Sequence, residues 1–162
     1  MRKKKVDEIQ DDDILQFVAL RIHEKKFAVE ISHIKEIIRF QKASALPKIP
    51  EFIDGVIDLR GEIIPIIDLR KRFSAPVKYE LATRILIARA KGKTIGMVAD
   101  EASEVLSITT NSIKPAPAIT KYYKAEYIIG MITYGKSIYV ILDVDRLLTE
   151  EERISIEEIA VG

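Results

Sequence analysis

Between Ile14 and Asp143 apolar residues recur at every second place in short runs, interrupted by charges and turn residues. That period of two predicts half-buried β-strands. The runs cover residues 14–22, 26–31, 36–40, 55–59, 62–68, 84–90, 93–99, 104–108, 127–133 and 137–143. They are rich in Ile, Val, Tyr and Phe and are bounded by Gly, Pro, Asn or charged turns. "AKGKT" (90–94) is the clearest turn, because Gly92 tolerates positive φ. "LPKIP" (46–50) and "KPAPAIT" (114–120) are proline-marked connectors. Pro65 cannot donate to a ladder, so "EIIPIID" is expected at a sheet edge or bulged. Helix signals are few. "SHIKEI" (32–37) suits one turn. A C-terminal helix is expected from Thr149, where T-E-E-E forms a capping box between Thr149 and Glu152. Ile154, Ile156 and Ile159 would then dock it. Ten short strands with tight turns indicate a mainly β fold of small barrels or a sandwich.

The pattern repeats. "FIDGVIDLRGEIIPIIDLRKRF" (52–73) resembles "YIIGMITYGKSIYVILDVDRLL" (127–148), with Gly55 on Gly130, Ile57 on Ile132 and Asp68 on Asp143, an offset of 75. Placing Gly61 on Gly135 requires one residue dropped near the turn. "KKFAVEISHIKEII" echoes "KTIGMVADEASEVL" at an offset of 68. Two related β-subdomains follow, each ending its second hairpin in Asp and a short helical piece. Two copies suit a closed pair rather than a solenoid.

Composition narrows the function. A chain of 162 residues suits one domain, or two subdomains sharing a core. With no cysteine, disulfides, thiolate metal sites and cysteine nucleophiles are excluded, in keeping with a reducing cytoplasm. The 26 basic and 25 acidic residues leave a net charge of +1, which gives no long-range pull toward nucleic acid or anionic lipid. No apolar run reaches the roughly 20 residues of a membrane span. Residues 1–13 read as a solvated tail whose charges partly cancel.

Candidate chemistry is sparse. His23 and His33 lack companion ligands at metal spacing. No Gly-rich phosphate loop occurs. Asp54, Asp58, Glu62 and Asp68 offer an acid pair or a magnesium site only on paper. Asp54 and Asp58 share a strand face but lie about 13 Å apart. Asp68, echoed by Asp143, is expected to cap "LRKRF". Asp58 and Arg60 are neighbours beside a glycine turn. They read either as an exposed pair worth about 0–1 kcal/mol or as a partner-facing anchor, and the residues alone leave both open. A nucleic-acid-binding barrel would need a basic groove and stacking platforms, and Tyr122-Tyr123 is the one aromatic cluster. A small hydrolase would need a nucleophile and base that are not evident.

"FIDGVIDLRGEIIPIIDLRKRF" closely resembles the signature of the CheW-like domain family, which typically reads G-V-I-N-L-R-G-x-I-I-P-I-I-D-L-R. "FVALRIHEKKFAVEISHIKEII" resembles the family's opening strands, "IGMVADEASEVLSIT" a later hairpin and "YIIGMITYGKSIYVILDVDRLL" the closing one. The resemblance spans about residues 14–148. It implies two SH3-like five-stranded β-barrel subdomains around a shared core, with short helices and a C-terminal helix. Approximate barrels of 14–80 and 81–148 are expected, a division that leaves room for strand exchange between them, followed by the helix and tail at 149–162.

The resemblance implies a non-enzymatic chemotaxis adaptor without cofactor or metal. It would be cytoplasmic, recruited to receptor arrays at the inner face of the membrane, with no insertion into the membrane and no nucleic-acid partner. Its implied partners are methyl-accepting chemotaxis receptors and the CheW-like regulatory domain of the histidine kinase CheA. A kinase would add ATP-binding and dimerisation domains, so a stand-alone adaptor is expected. Position by position, Arg60, Asp58, Ala102 and Val105 match receptor-facing sites, and Ile34, Glu36, Asp54 and Gly55 match kinase-facing ones. Asp58 departs from the family pattern, where Asn is usual, and adds a charge beside Arg60 that would orient or mask its guanidinium.

Overall fold

The alternating runs become ten strands in the computed structural model, which describes residues 13–115 and 125–161. In chain order these are β1 (Ile14–Ile22), β2 (Lys25–Glu30), β3 (Ile34–Arg39), β4 (Gly55–Leu59), β5 (Glu62–Asp68), β6 (Arg84–Ala90), β7 (Lys93–Ala99), β8 (Glu101–Thr109), β9 (Ile128–Tyr134) and β10 (Ser137–Leu142). Two α-helices accompany them, α1 (Leu69–Arg72) and α2 (Glu150–Val161). Single 3-10 turns occupy Ile31–His33, Thr110–Ser112, Ala125–Tyr127 and Val144–Leu147. "SHIKEI" is therefore mostly strand. Its helical turn ends at His33, and from Ile34 the chain pairs with β6. The tail to residue 12, most of "KPAPAIT" and Tyr122-Tyr123 lie outside the described residues.

One sheet runs β8-β1-β2-β10-β9 and the other β3-β6-β7-β5-β4. Sheet membership does not divide at residue 80. β3, β4 and β5 join β6 and β7, while β8, β9 and β10 join β1 and β2. The reason lies in two short connections. The chain passes from one sheet to the other through Ile31–His33 after β2 and through Asp100 after β7. Replacing each of β1 to β5 by its counterpart in β6 to β10 converts one strand order into the other. The repeat is thus a pair of interlocked halves.

Each sheet closes on itself. The chain beyond β3 returns to β4 at a Ser44–Val56 bridge, and the chain beyond β8 returns to β9 at Lys114–Met131. Both bridges carry two backbone hydrogen bonds of 2.8–2.9 Å. Gly55 and Gly130 make the closures possible. A Cβ on Gly55 would lie 2.6 Å from the Ser44 carbonyl oxygen, and one on Gly130 would lie 2.7 Å from that of Lys114.

Strand register refines the repeat. Leu59 pairs with Glu62 and Tyr134 with Ser137, so both hairpins turn through two residues. No residue is dropped, and Arg60 stands where the other half has Gly135. Pro65 is not at an edge, because β5 lies between β7 and β4. It fits because the parallel ladder to β7 begins only at Ile66.

Alternate faces of the inner strands fill different cores. Phe17 and Ala19 of β1 point into one barrel, and Ile85 and Ile87 of β6 into the other. Their neighbours Val18, Leu20, Leu86 and Ala88 meet in a core shared by both. Burial on both faces explains the near-continuous apolar runs. α2 closes one side of this core. Its capping box forms, with Thr149 N–H donating to Glu152 at 2.9 Å and Glu152 N–H to the Thr149 hydroxyl at 3.1 Å. Ile156 is buried, whereas Ile154 is exposed and does not dock. The Ile159 side chain lies outside the described residues. Ion pairs Arg72–Glu152 (3.0 Å) and Lys93–Glu157 (3.1 Å) hold the helix on the barrels.

Candidate functional site

The tripeptide Asp-Leu-Arg occurs twice, at 58–60 and 68–70, and the two copies meet opposite fates. In the first, Asp58 accepts a hydrogen bond from the Gly61 N–H at 2.8 Å and so clamps the β4–β5 turn. Both turn residues have positive φ, 51° at Arg60 and 88° at Gly61. Two-residue turns of this kind favour Asn-Gly or Gly-Gly, since a Cβ is strained in the left-handed region. Arginine gains nothing locally there. Its guanidinium reaches β3 instead and donates to the Glu36 carboxylate. Arg60 keeps most of its side chain in solvent, so this ion pair is a surface feature.

The other expected contact residues fall around this mouth or at its repeat counterpart. Asp54 precedes β4 and pairs with Lys71 at 2.8 Å. That hydrogen bond raises the Lys71 pKa above its ordinary value. Gly55 is buried and serves barrel closure. Ile34 opens β3 and packs, half-buried, on the shared core. Ala102 does the same near the start of β8, at the 68-residue offset. Glu36 and Ile37 correspond to Glu104 and Val105 in the same way. Val105 is 47% exposed, a large apolar side chain left in water. Tyr139 donates to Glu104 at 3.4 Å, and burial together with that carboxylate raises the tyrosine pKa. Thus Glu36 and Arg60, expected to face different partners, form one ion pair, while Ala102 and Val105 sit on the other barrel's edge strand.

The sequence does not mark the second Asp-Leu-Arg as a site. Arg70 is fully buried. Its Nε and Nη2 donate to the two Asp68 oxygens, both at 2.9 Å, and Nη1 donates to Asp100 at 3.0 Å and to the Lys78 carbonyl. Tyr79 stacks on the guanidinium 4.9 Å away and also packs on Phe40. Burial opposes the charge, but the bonds and charges of Asp68 and Asp100 more than offset it and raise the pKa. Asp68 also caps α1 by accepting from the Arg70 N–H, as expected from its echo, and Asp143 accepts from the Asp145 N–H in the other half. Charge in the sequence signals surface, so a buried arginine is hidden. The available sign was an Asp-x-Arg directly after the apolar run Ile63–Ile67.

Among the described residues three of the four candidate carboxylates are held apart by their own contacts. The candidate carboxylates Asp54, Asp58 and Asp68 are each engaged by a separate partner. Among the described residues no group of three or more His, Asp or Glu is arranged to hold a metal. No helix is long and apolar enough to cross a membrane among them.

Residues 16–152 match the CheW-like domain. The chain belongs to the CheW family. Relatives by sequence include the chemotaxis protein CheW of Klebsiella aerogenes, 31% identical over 90% of this chain and 88% of that protein. Protein FrzA of Myxococcus xanthus is 27% identical over 72% of this chain and 73% of its own length. Among solved structures, the scaffolding protein TtCheW from Thermoanaerobacter tengcongensis superposes with a TM-score of 0.77 at 30% identity. It covers 84% of this chain and 93% of that one. CheW-family proteins are chemotaxis scaffolds and not enzymes, which agrees with a site built of surface contacts rather than reacting groups.

Proposed function

We propose that this CheW-family chain couples methyl-accepting chemoreceptors to the histidine kinase CheA in the cytoplasm, beneath receptor arrays. It would bind receptor tips and the kinase's CheW-like regulatory domain. The observation that carries this reading is Arg60. A solvent-exposed arginine occupies a left-handed turn position where the other half of the repeat has glycine. His23 and Lys91 are left-handed as well, but each donates its N–H to an aspartate of the fold. The Arg60 side chain makes only an exposed contact with Glu36, and strain without such a local return marks a residue kept for something other than the fold. Receptor contact is assigned to Arg60, Val105 and Ala102, with Asp58 holding the turn that presents Arg60. Kinase contact is assigned to Ile34, Glu36 and Asp54. Gly55 supports it indirectly by fixing the strand that carries Asp54.

The ion pair gives the reading a mechanical element. A receptor carboxylate that engages Arg60 competes with Glu36, so receptor binding alters the carboxylate offered on β3. The role of such a protein is to set distance and orientation, with modest interfaces strengthened by multivalent assembly. Changing Arg60→Glu should leave the fold intact and abolish receptor-dependent kinase activation. Co-sedimentation with receptor and kinase, together with kinase activity, checks it, and unchanged values for both would remove Arg60 from the receptor surface.

A further inference from the structure

The two halves secure their first hairpins differently. His23 and Lys91 are counterparts, each a left-handed residue in the turn that joins the half's first two strands. The Lys91 N–H donates directly to Asp145 at 2.7 Å. The residue corresponding to Asp145 in the first half is Arg70, a cation that cannot accept. There the His23 N–H donates instead to Asp100 at 2.6 Å, and the other Asp100 oxygen takes Arg70 at 3.0 Å. The Asp100 N–H also donates to the Arg21 carbonyl at 2.9 Å. Asp100 is the single residue between β7 and β8, two positions before Ala102. Its counterpart at the other crossover is Ser32, in an exposed 3-10 turn with no buried residue.

We infer that Arg70 and Asp100 are positioning residues for the β8 contact face. Their buried relay fixes the crossover from which Ala102 and Val105 project, while among the described residues no side-chain hydrogen bond ties Ser32 at the equivalent place before β3. This rests on the reading that Ala102 and Val105 meet a receptor. The Arg70 fork is held by two carboxylates, a carbonyl and a ring, so its geometry is over-determined. Asp100 transfers that rigidity to β8 through both oxygens and its own N–H. One edge strand of the pseudo-symmetric pair is therefore rigidly mounted. The other is held at its mouth by the exposed Arg60–Glu36 pair.

Amide hydrogen exchange and partner affinity of the full chain test this together. Asp100→Asn keeps the shape and an acceptor for His23 but removes the charge that Arg70 needs. Exchange across 101–106 should quicken about tenfold or more while 34–39 and β5 stay unchanged. Affinity for a receptor-tip fragment should fall about tenfold, with affinity for the kinase regulatory domain unaltered. Arg70→Met alone strands two buried carboxylates and is expected to unfold. The triple change Asp68→Asn, Arg70→Met, Asp100→Asn removes every charge of the cluster. It should recover most of the thermal stability without recovering receptor affinity. Unchanged exchange at 101–106 in Asp100→Asn overturns the inference. So does an equal loss of both partners with exchange raised throughout, which marks a merely structural cluster. If Val105→Asp and Arg60→Glu leave receptor binding intact, the receptor assignment itself fails, and the exchange measurement still decides the anchoring of β8.

Discussion

Arg60 holds a conformation that costs a residue bearing a Cβ roughly 1–2 kcal/mol. Its exposed pair with Glu36 returns about 0–1 kcal/mol. The local balance is unfavourable, which leads to a prediction. Arg60→Asn, with a side chain tolerant of the left-handed region, should raise unfolding stability by about 0.5–1 kcal/mol while abolishing receptor coupling. Denaturant unfolding with kinase assays would show it, and a loss of stability would mean that Arg60 serves the fold. Asp58 calls for a different expectation. Its carboxylate accepts from the Gly61 N–H rather than pairing with Arg60. An amide oxygen can do the same, so Asp58→Asn should change neither melting temperature nor coupling appreciably. The departure from the family's usual Asn is then conservative in its effect on the turn. Neither point was legible in the sequence. Strand alternation placed Asp58 and Arg60 on one face but could not reveal that Arg60 had already left the strand.

At the scale of elements, the sequence foretold most strands because each run is short, rich in Ile and Val, and ends at a turn residue. It misplaced Pro65 because a proline in an inner strand is tolerated when its missing donor falls before the ladder begins. It suggested one helical turn at "SHIKEI", whereas the helical turn ends at His33 and pairing with β6 draws the chain from Ile34 onward into a strand. The closures are the elements least forgiving of change. Gly55→Ala and Gly130→Ala should each cost about 2–4 kcal/mol, since the added Cβ meets a backbone carbonyl that is itself bonded across the closure. A loss under about 1 kcal/mol in thermal unfolding would show that the closure yields. For α2, Thr149→Ala should cost about 1 kcal/mol. The loss should appear as faster amide exchange confined to residues 150–158.

For the whole molecule, the repeat in the sequence disclosed two related halves but not their interlocking, because nothing in a strand's own residues names the sheet it joins. That interlocking has a direct consequence. Fragments 14–80 and 81–162 should be unfolded when produced separately, since each sheet takes strands from both, and should fold when mixed. Dispersed amide resonances from either fragment alone would contradict this. Interlocking also explains how one small chain can present two equivalent edge strands at a fixed separation, which is what a scaffold between two partners requires. On this reading Arg60 is kept for a receptor and not for the fold. Kinase activity in reconstituted assemblies of receptor, kinase and this chain measures it. The chain is supplied in turn unaltered, as Arg60→Glu and as Arg60→Asn, with unfolding stability measured on the same preparations. Both substitutions should abolish receptor-dependent activation although the asparagine variant is the most stable of the three. Activation that persists in both variants, or that rises and falls with stability, would contradict it.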